Sequence, residues 1–183
     1  FKLMKHQKKK LNRDTKYSLY EKAVQSPDAD IDFLLETYTQ LNNKSPTSLR
    51  EDFCGTGLLL CEWVKREKNF WAVGLDFDSE PTEYGIRKHL SKLKPAQKER
   101  VRYLNQDVLV STDLKTDIIT AFNFSYMIFK ERSVLLGYFK NIRKSLQDDG
   151  LFCLDNFGGT QCHQKIKDKK IFSNFSYFWE CQE

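Results

Sequence analysis

The stretch Ser48-Leu-Arg-Glu-Asp-Phe-Cys-Gly-Thr-Gly57, followed at once by Leu58-Leu-Leu-Cys-Glu-Trp-Val64, constrains the fold more than any other part of the chain. A short strand running into carboxylates, a turn with glycines at 55 and 57, and an apolar run of helical length form the first βα turn of a ligand-binding α/β sheet. Glycine permits a tight turn and lets a ligand lie against the backbone. The amides that open the following helix then point toward that ligand. A Gly-x-Gly pair also marks ordinary turns, so its weight depends on what the rest of the chain supplies.

Composition sets the limits. The chain has 183 residues, 40% of them hydrophobic, which suits one globular domain with a sizeable core. No apolar run is long enough to span a bilayer, and the basic N-terminus lacks the apolar middle of a signal peptide, which points to a soluble, cytoplasmic protein with no membrane partner. Five cysteines, at 54, 61, 153, 162 and 181, are an odd number without a CxxC pair. They read as reduced, packed thiols rather than a disulfide framework or a metal site. The net charge of +5 is uneven, with Lys2, Lys5, Lys8, Lys9, Lys10, Arg13 and Lys16 facing only Asp14 near the start. That basic arm suits contact with nucleic-acid phosphates or an acidic partner, and equally a solvated tail.

Along the chain, Tyr17 to Gln25 reads as a short helix. Ser26 then caps a second one with Pro27 at its first position and Ile31, Leu34, Leu35, Tyr38 and Leu41 in one stripe. Residues 1–44 thus form a basic arm and N-terminal helices, with Tyr17, Tyr20 and Gln25 placed either to cover a ligand as a lid or to pack as ordinary helix faces. Residues 45–183 form the α/β part. Leu49 to Phe53 is the first strand, Leu58 to about Lys65 the next helix, and Phe70 to Asp76 a second strand whose continuous apolar run suits a parallel strand covered on both faces. Ser79 is read as capping a helix that carries Ile86, Leu90 and Leu93 and ends at Pro95. Val101 to Asn105 and Asp117 to Phe122 are the third and fourth strands. A helix from Arg132 to Leu146 buries Leu135, Phe139, Ile142 and Leu146, Asp148 to Gly150 turn the chain, and Leu151 to Asp155 is a fifth strand. After Gly158 and Gly159 and a basic stretch from Lys165 to Lys170, the alternating Phe175, Tyr177, Trp179 and Cys181 read as a sixth.

Strands alternating with helices imply a doubly wound, mostly parallel sheet with right-handed crossovers. Ligands bind such sheets beyond the carboxyl ends of the strands, and those ends carry Glu51, Asp76, Asp107 and Asn123. Across residues 48 to 156 the order and spacing of Glu51-x-x-Cys-Gly-Thr-Gly57, Asp76 and Gln106-Asp107 resemble the class I S-adenosylmethionine-dependent methyltransferases, a Rossmann-like family. The resemblance implies a seven-stranded sheet with an antiparallel C-terminal edge, which residues 175–181 leave incomplete. It also implies S-adenosyl-L-methionine as cofactor, lying on Gly55 and Gly57, with Asp76 on the ribose hydroxyls, Asp107 on the adenine amino group and Glu51 near the ammonium. Phe53, Cys54, Thr56, Phe77, Val108 and Asn123 complete that cofactor set. Phe53 departs from the family, which has glycine there, so its side chain must point away from the cofactor or form part of its wall.

A methyl group on a sulfonium is already activated, so few catalytic residues are required. Asn123-Phe124-Ser125-Tyr126 shares the Asn-x-x-Tyr spacing of amino-group methyltransferases without their prolines, which makes Asn123 and Tyr126 candidate catalytic residues; the alternative is a strand end that touches only the cofactor. The acceptor is open among small molecules, proteins and nucleic acids. No metal is expected: Cys162 and His163 are adjacent and diverge. A nicotinamide-dependent oxidoreductase would need a third glycine where Leu60 stands. The remaining alternative is a noncatalytic nucleic-acid or partner-binding module on the same fold.

Overall fold

A computed structural model describes residues 11–160 and 167–180. Two helices come first, α1 (Arg13–Val24) and α2 (Pro27–Asn42). Asn12 caps α1 through a side-chain bond from the Thr15 amide, so this helix starts earlier than Tyr17, while Ser26 caps α2 by position without a side-chain bond. Leu41 falls off the buried stripe, because it lies in the last turn of α2 and is 64% exposed. The sheet elements are β1 (Ser48–Asp52), β2 (Trp71–Asp76), β3 (Val101–Asn105), β4 (Thr116–Ala121) and β5 (Leu146–Leu154). They pair in parallel in the order β3-β2-β1-β4-β5. Order reverses between β1 and β4, and the carboxyl ends of those two strands flank the resulting crevice.

Helices cover both faces. On one, α3 (Leu58–Arg66) and α2 bury Leu34, Tyr38, Leu60 and Trp63 against Leu49, Ala72 and Ile118. On the other, α6 (Arg132–Ser145) buries Tyr138 and Ile142 against Val73, Leu75 and Ile119. Successive residues Ala72 and Val73, or Ile118 and Ile119, therefore enter opposite cores, which is why these strands read as unbroken apolar runs. Trp63 is wholly buried and stacks on Phe70 at 4.7 Å between centroids. Polar residues inside β1 follow the same alternation. Arg50 is 1% exposed and pairs with Asp52 at 2.6 Å, and Asp52 also accepts from the Tyr138 hydroxyl at 2.9 Å.

Four local readings are corrected. The helix α4 (Ser79–Lys88) is capped by Asp78, whose carboxylate accepts from the Glu80 amide at 3.0 Å, rather than by Ser79. It ends before a single 3-10 turn at Leu90–Lys92, and Pro95 opens the short α5 (Pro95–Lys98) instead of closing α4. Asp148 to Gly150 do not end the strand. They form an irregularity within β5, whose pairing jumps from Thr116 with Leu146 to Ile118 with Leu151. The sixth strand pairs outside the main sheet: β7 (Ser176–Glu180) runs antiparallel to β6 (Lys167–Ile171) in a separate hairpin. The basic residues 1–10, Cys162, His163 and Cys181 lie outside the described residues, whereas Cys54, Cys61 and Cys153 are free thiols.

Candidate functional site

The glycine turn is bent by three left-handed residues, Phe53 (φ 57°), Gly55 (φ 52°) and Gly57 (φ 63°). Phe53 adopts a conformation that ordinarily favours glycine, and its ring is held against Phe129 and Tyr138 at 5.9 and 6.1 Å. The two glycines do different work. A Cβ at Gly55 would meet nothing within 4 Å, so its face is open, whereas the Tyr103 ring occupies the space beside Gly57. Only Gly55 leaves room for a ligand.

Asp76 ties the turn to the next strand end. One carboxylate oxygen accepts from the Gly55 amide at 2.8 Å and the other from the Asp78 amide at 2.9 Å. Asn105 donates to the carbonyls of Asp76 and Phe77, which fixes β3 alongside. Asp107 follows, exposed, with its carboxylate accepting from the Leu109 amide at 2.9 Å. Phe77 stands 77% exposed at the same rim, while the Val108 side chain is spent on the core at 4% exposure. Asp76 and Asp107 thus stand at the carboxyl ends of neighbouring parallel strands, with Asp76 the one bonded to Gly55.

Glu51 sits deeper, 6% exposed, and its Oε2 has no hydrogen-bond partner among the described residues. Burial pushes its carboxyl well above the ordinary range, reinforced by the charges of Asp30, Asp76 and Asp52. Two cavities meet at this residue. The first, of about 250 Å³, is lined by Glu51, Phe53, Cys54, Gly55 and Thr56 and is covered by Lys16, Tyr17, Tyr20 and Gln25. The second, of about 500 Å³, runs from Asp30 and Phe33 on α2 to Phe152 on β5 and Asp155 just after it. Gln25, Glu51, Phe122 and Asn123 line both, and so form the wall between them.

That wall is built from strained backbone. Asn123 and Phe124 both have φ of 57°, and the Asp155 carboxylate accepts from their amides at 2.9 and 2.8 Å. Tyr126 lines neither cavity; it packs on Phe139 and donates to Asn156 Oδ1 at 3.1 Å. An aromatic chain, Phe124 to Phe157 to Trp179, seats the β6–β7 hairpin beside this corner, and Lys170 donates to the Ala23 carbonyl at 3.0 Å.

The helix α1 is anchored at its back. Tyr17 donates to Glu80 at 2.8 Å, and Glu21, 9% exposed, meets His89 at 2.7 Å and Tyr84 at 3.4 Å. Burial would raise the Glu21 carboxyl, but its polar neighbours, His89 first and then Thr56 and Tyr84, outweigh it and hold the group below its ordinary range. Of the residues singled out from the sequence, Glu51, Phe53, Cys54, Gly55, Thr56 and Asn123 line one hollow, and Gly57, Asp76, Phe77, Asp107 and Val108 are not among the residues that line it. Sequence reasoning missed Asp30, Phe122 and Asp155. Asp155 was within reach of the strand-end rule, since it directly follows the fifth strand; Asp30 reads from sequence only as an acid in a helix first turn.

The parallel order 3-2-1-4-5, the glycine turn after β1 and the acids after β2 and β3 define the fold of the class I S-adenosylmethionine-dependent methyltransferases, and solved structures share it. One is an S-adenosylmethionine-dependent methyltransferase from Clostridium acetobutylicum ATCC 824, 24% identical with a TM-score of 0.69 over 91% of this chain and 68% of that one. Another is a sugar N-methyltransferase from Streptoalloteichus sp ATCC 53650, 13% identical, with a TM-score of 0.67 over 97% of this chain and 68% of its own. A third is an amino pentose methyltransferase from Micromonospora echinaspora, solved with S-adenosylmethionine bound, 13% identical, with a TM-score of 0.65 over 90% of this chain and 65% of its own. The chain thus spans about two thirds of the length of each. No family model matches the sequence, and a search of curated proteins gave no match.

Proposed function

We propose that this chain is an S-adenosylmethionine-dependent methyltransferase that binds its cofactor on the glycine turn. The observation that carries the reading is the pairing of an open face at Gly55 with the unpartnered, buried Glu51 Oε2, both lining the smaller cavity. The residues fit the group. Asp76 would take the ribose hydroxyls with lone pairs left after its two amide bonds, Asp107 and the exposed Phe77 the adenine end, and Glu51 the ammonium. When bound, the sulfonium supplies a methyl group that is already activated, so the chain needs mainly to align a nucleophile and exclude water. Tyr17 and Tyr20 on α1 do the second by covering the hollow. Asn123, on the shared wall, faces the acceptor side through its side chain or backbone, and Tyr126 braces the same turn through Asn156. We place the protein in the cytoplasm, in keeping with its free thiols.

Incubation of the purified chain with methyl-labelled cofactor and separate metabolite, protein and RNA fractions tests this reading. It predicts label in at least one fraction, lost with Asp76→Ala. Absence of both label transfer and cofactor binding would overturn it.

A further inference from the structure

We propose that the larger cavity is a binding site for a cationic amine, a primary or secondary ammonium carried on a compact apolar body, and that this amine is the methyl acceptor. Naming it the acceptor rests on the function proposed above; the amine site itself rests on the cavity alone.

Three carboxylates, Asp30, Glu51 and Asp155, line the cavity, and no lysine or arginine does among the described residues. They come from three separate elements, the first turn of α2, the end of β1 and the residue after β5. Acids gathered this way repel one another unless a cation joins them. Burial, and then the charge of Asp155, raise the Asp30 carboxyl above its ordinary range, as expected of a group that lacks a counter-charge. The second and independent observation is on the shared wall. Gln25 Oε1 is buried without a partner among the described residues. It is an acceptor as placed, so what it lacks is a donor, and an ammonium brings two or three. Asp155 is already fixed by the Asn123 and Phe124 amides, so its remaining lone pairs point to a preformed site rather than a mobile one. Phe33, Phe122 and Phe152 supply apolar and aromatic surface for the body of the ligand, which also suits a cation beside a ring face. Phosphate and carboxylate ligands meet only like charge here, so the cavity disfavours a nucleic-acid backbone.

The position also suits the chemistry. The larger cavity shares with the cofactor hollow the wall of Gln25, Glu51, Phe122 and Asn123. An ammonium has no lone pair, so one of the other cavity carboxylates, Asp30 or Asp155, first takes a proton from nitrogen. The nitrogen lone pair then forms the bond to the methyl carbon as the carbon–sulfur pair stays with sulfur. The positive charge passes from sulfur to nitrogen, and one proton remains on the carboxyl.

The test is calorimetric titration of the chain, saturated with S-adenosylhomocysteine, with benzylammonium, benzyl alcohol and benzoate. The wild-type chain should bind benzylammonium at least tenfold more tightly than either isostere, and Asp30→Asn should reduce that preference by about tenfold, as expected for one charge-assisted bond. Glu36→Gln, on the exposed face of α2, should leave it intact. Equal binding of the three probes by the wild-type chain, which requires no variant to fold, would overturn the proposal, as would an unaltered preference in a folded Asp30→Asn. If S-adenosylhomocysteine itself does not bind, the methyltransferase reading falls, and the same titrations on the chain alone still decide whether the amine site exists.

Discussion

Glu51 carries the conflict on which this site depends. Its carboxyl is buried beside Asp30, Asp52 and Asp76 and is pushed well above the ordinary range, so folding favours the protonated form. A carboxyl raised in this way supports the fold below the pH at which it ionises when unfolded. That support is lost as pH climbs through the folded pKa. Glu51→Gln, which removes the charge and keeps the shape, should therefore raise the melting temperature of the ligand-free chain near pH 8 by roughly 2 °C or more, with the gain shrinking toward pH 4. Scanning calorimetry across that range checks it; a gain that is constant with pH would show that the charge is not the cause. The same variant should bind cofactor less tightly, as expected where a site is kept at the expense of stability. At this scale the sequence was informative wherever a polar residue ends a strand, as Glu51 and Asp76 do. It was silent on Asp30 and left Gln25 between a lid and ordinary packing, because which way a helix faces relative to the sheet crevice is fixed by tertiary packing.

Among the elements, α1 stands out as an attached cover. Besides the Tyr17 ring packed on Tyr84 at 5.2 Å, its contacts with α4 and the residue after it are polar: Arg87 and Lys88 pair with Asp14 at 3.1 and 3.2 Å, and Glu21 is enclosed by His89 and Tyr84. The pairs with Asp14 are exposed and screened by solvent, so they contribute little. Glu21 is the buried anchor. Glu21→Ala, leaving His89 and Tyr84 without their partner, should loosen α1, seen as faster amide hydrogen exchange over residues 13–24 with the strands unaffected. Asp14→Ala should change that exchange little. If the two variants behave alike, the anchor has been misplaced. The β6–β7 hairpin shows why some elements escaped the sequence. Lys167 to Ile171 is exposed along its whole length, so no apolar alternation marks it as a strand, and the Lys-rich run reads as a loop. The strand opposite it alternates and was legible, but its pairing partner was not. Asp78 and Ser79 illustrate a smaller ambiguity, two adjacent residues that are both good helix caps.

For the molecule as a whole, the parallel order β3-β2-β1-β4-β5 does what no local motif can. It brings Gly55, Asp76 and Asp107, spread over more than fifty residues of sequence, to the carboxyl-end rim of the sheet, with Glu51 near the end of β1. The alternation of apolar strands and helices made that architecture readable, since each strand had to bury both faces. The second cavity was not readable, because it lies between α2 and the end of β5, elements that meet only in the folded chain. The central claim is that this rim grips a sulfonium nucleoside, and isothermal titration of S-adenosylmethionine into the wild-type chain and Asp76→Ala tests it most directly. Two lost hydrogen bonds to a charged acceptor, at roughly 1.5 to 3 kcal/mol each, predict saturable wild-type binding weakened on the order of a hundredfold or more in the variant. No wild-type binding, or equal affinity in the two chains, would contradict the account.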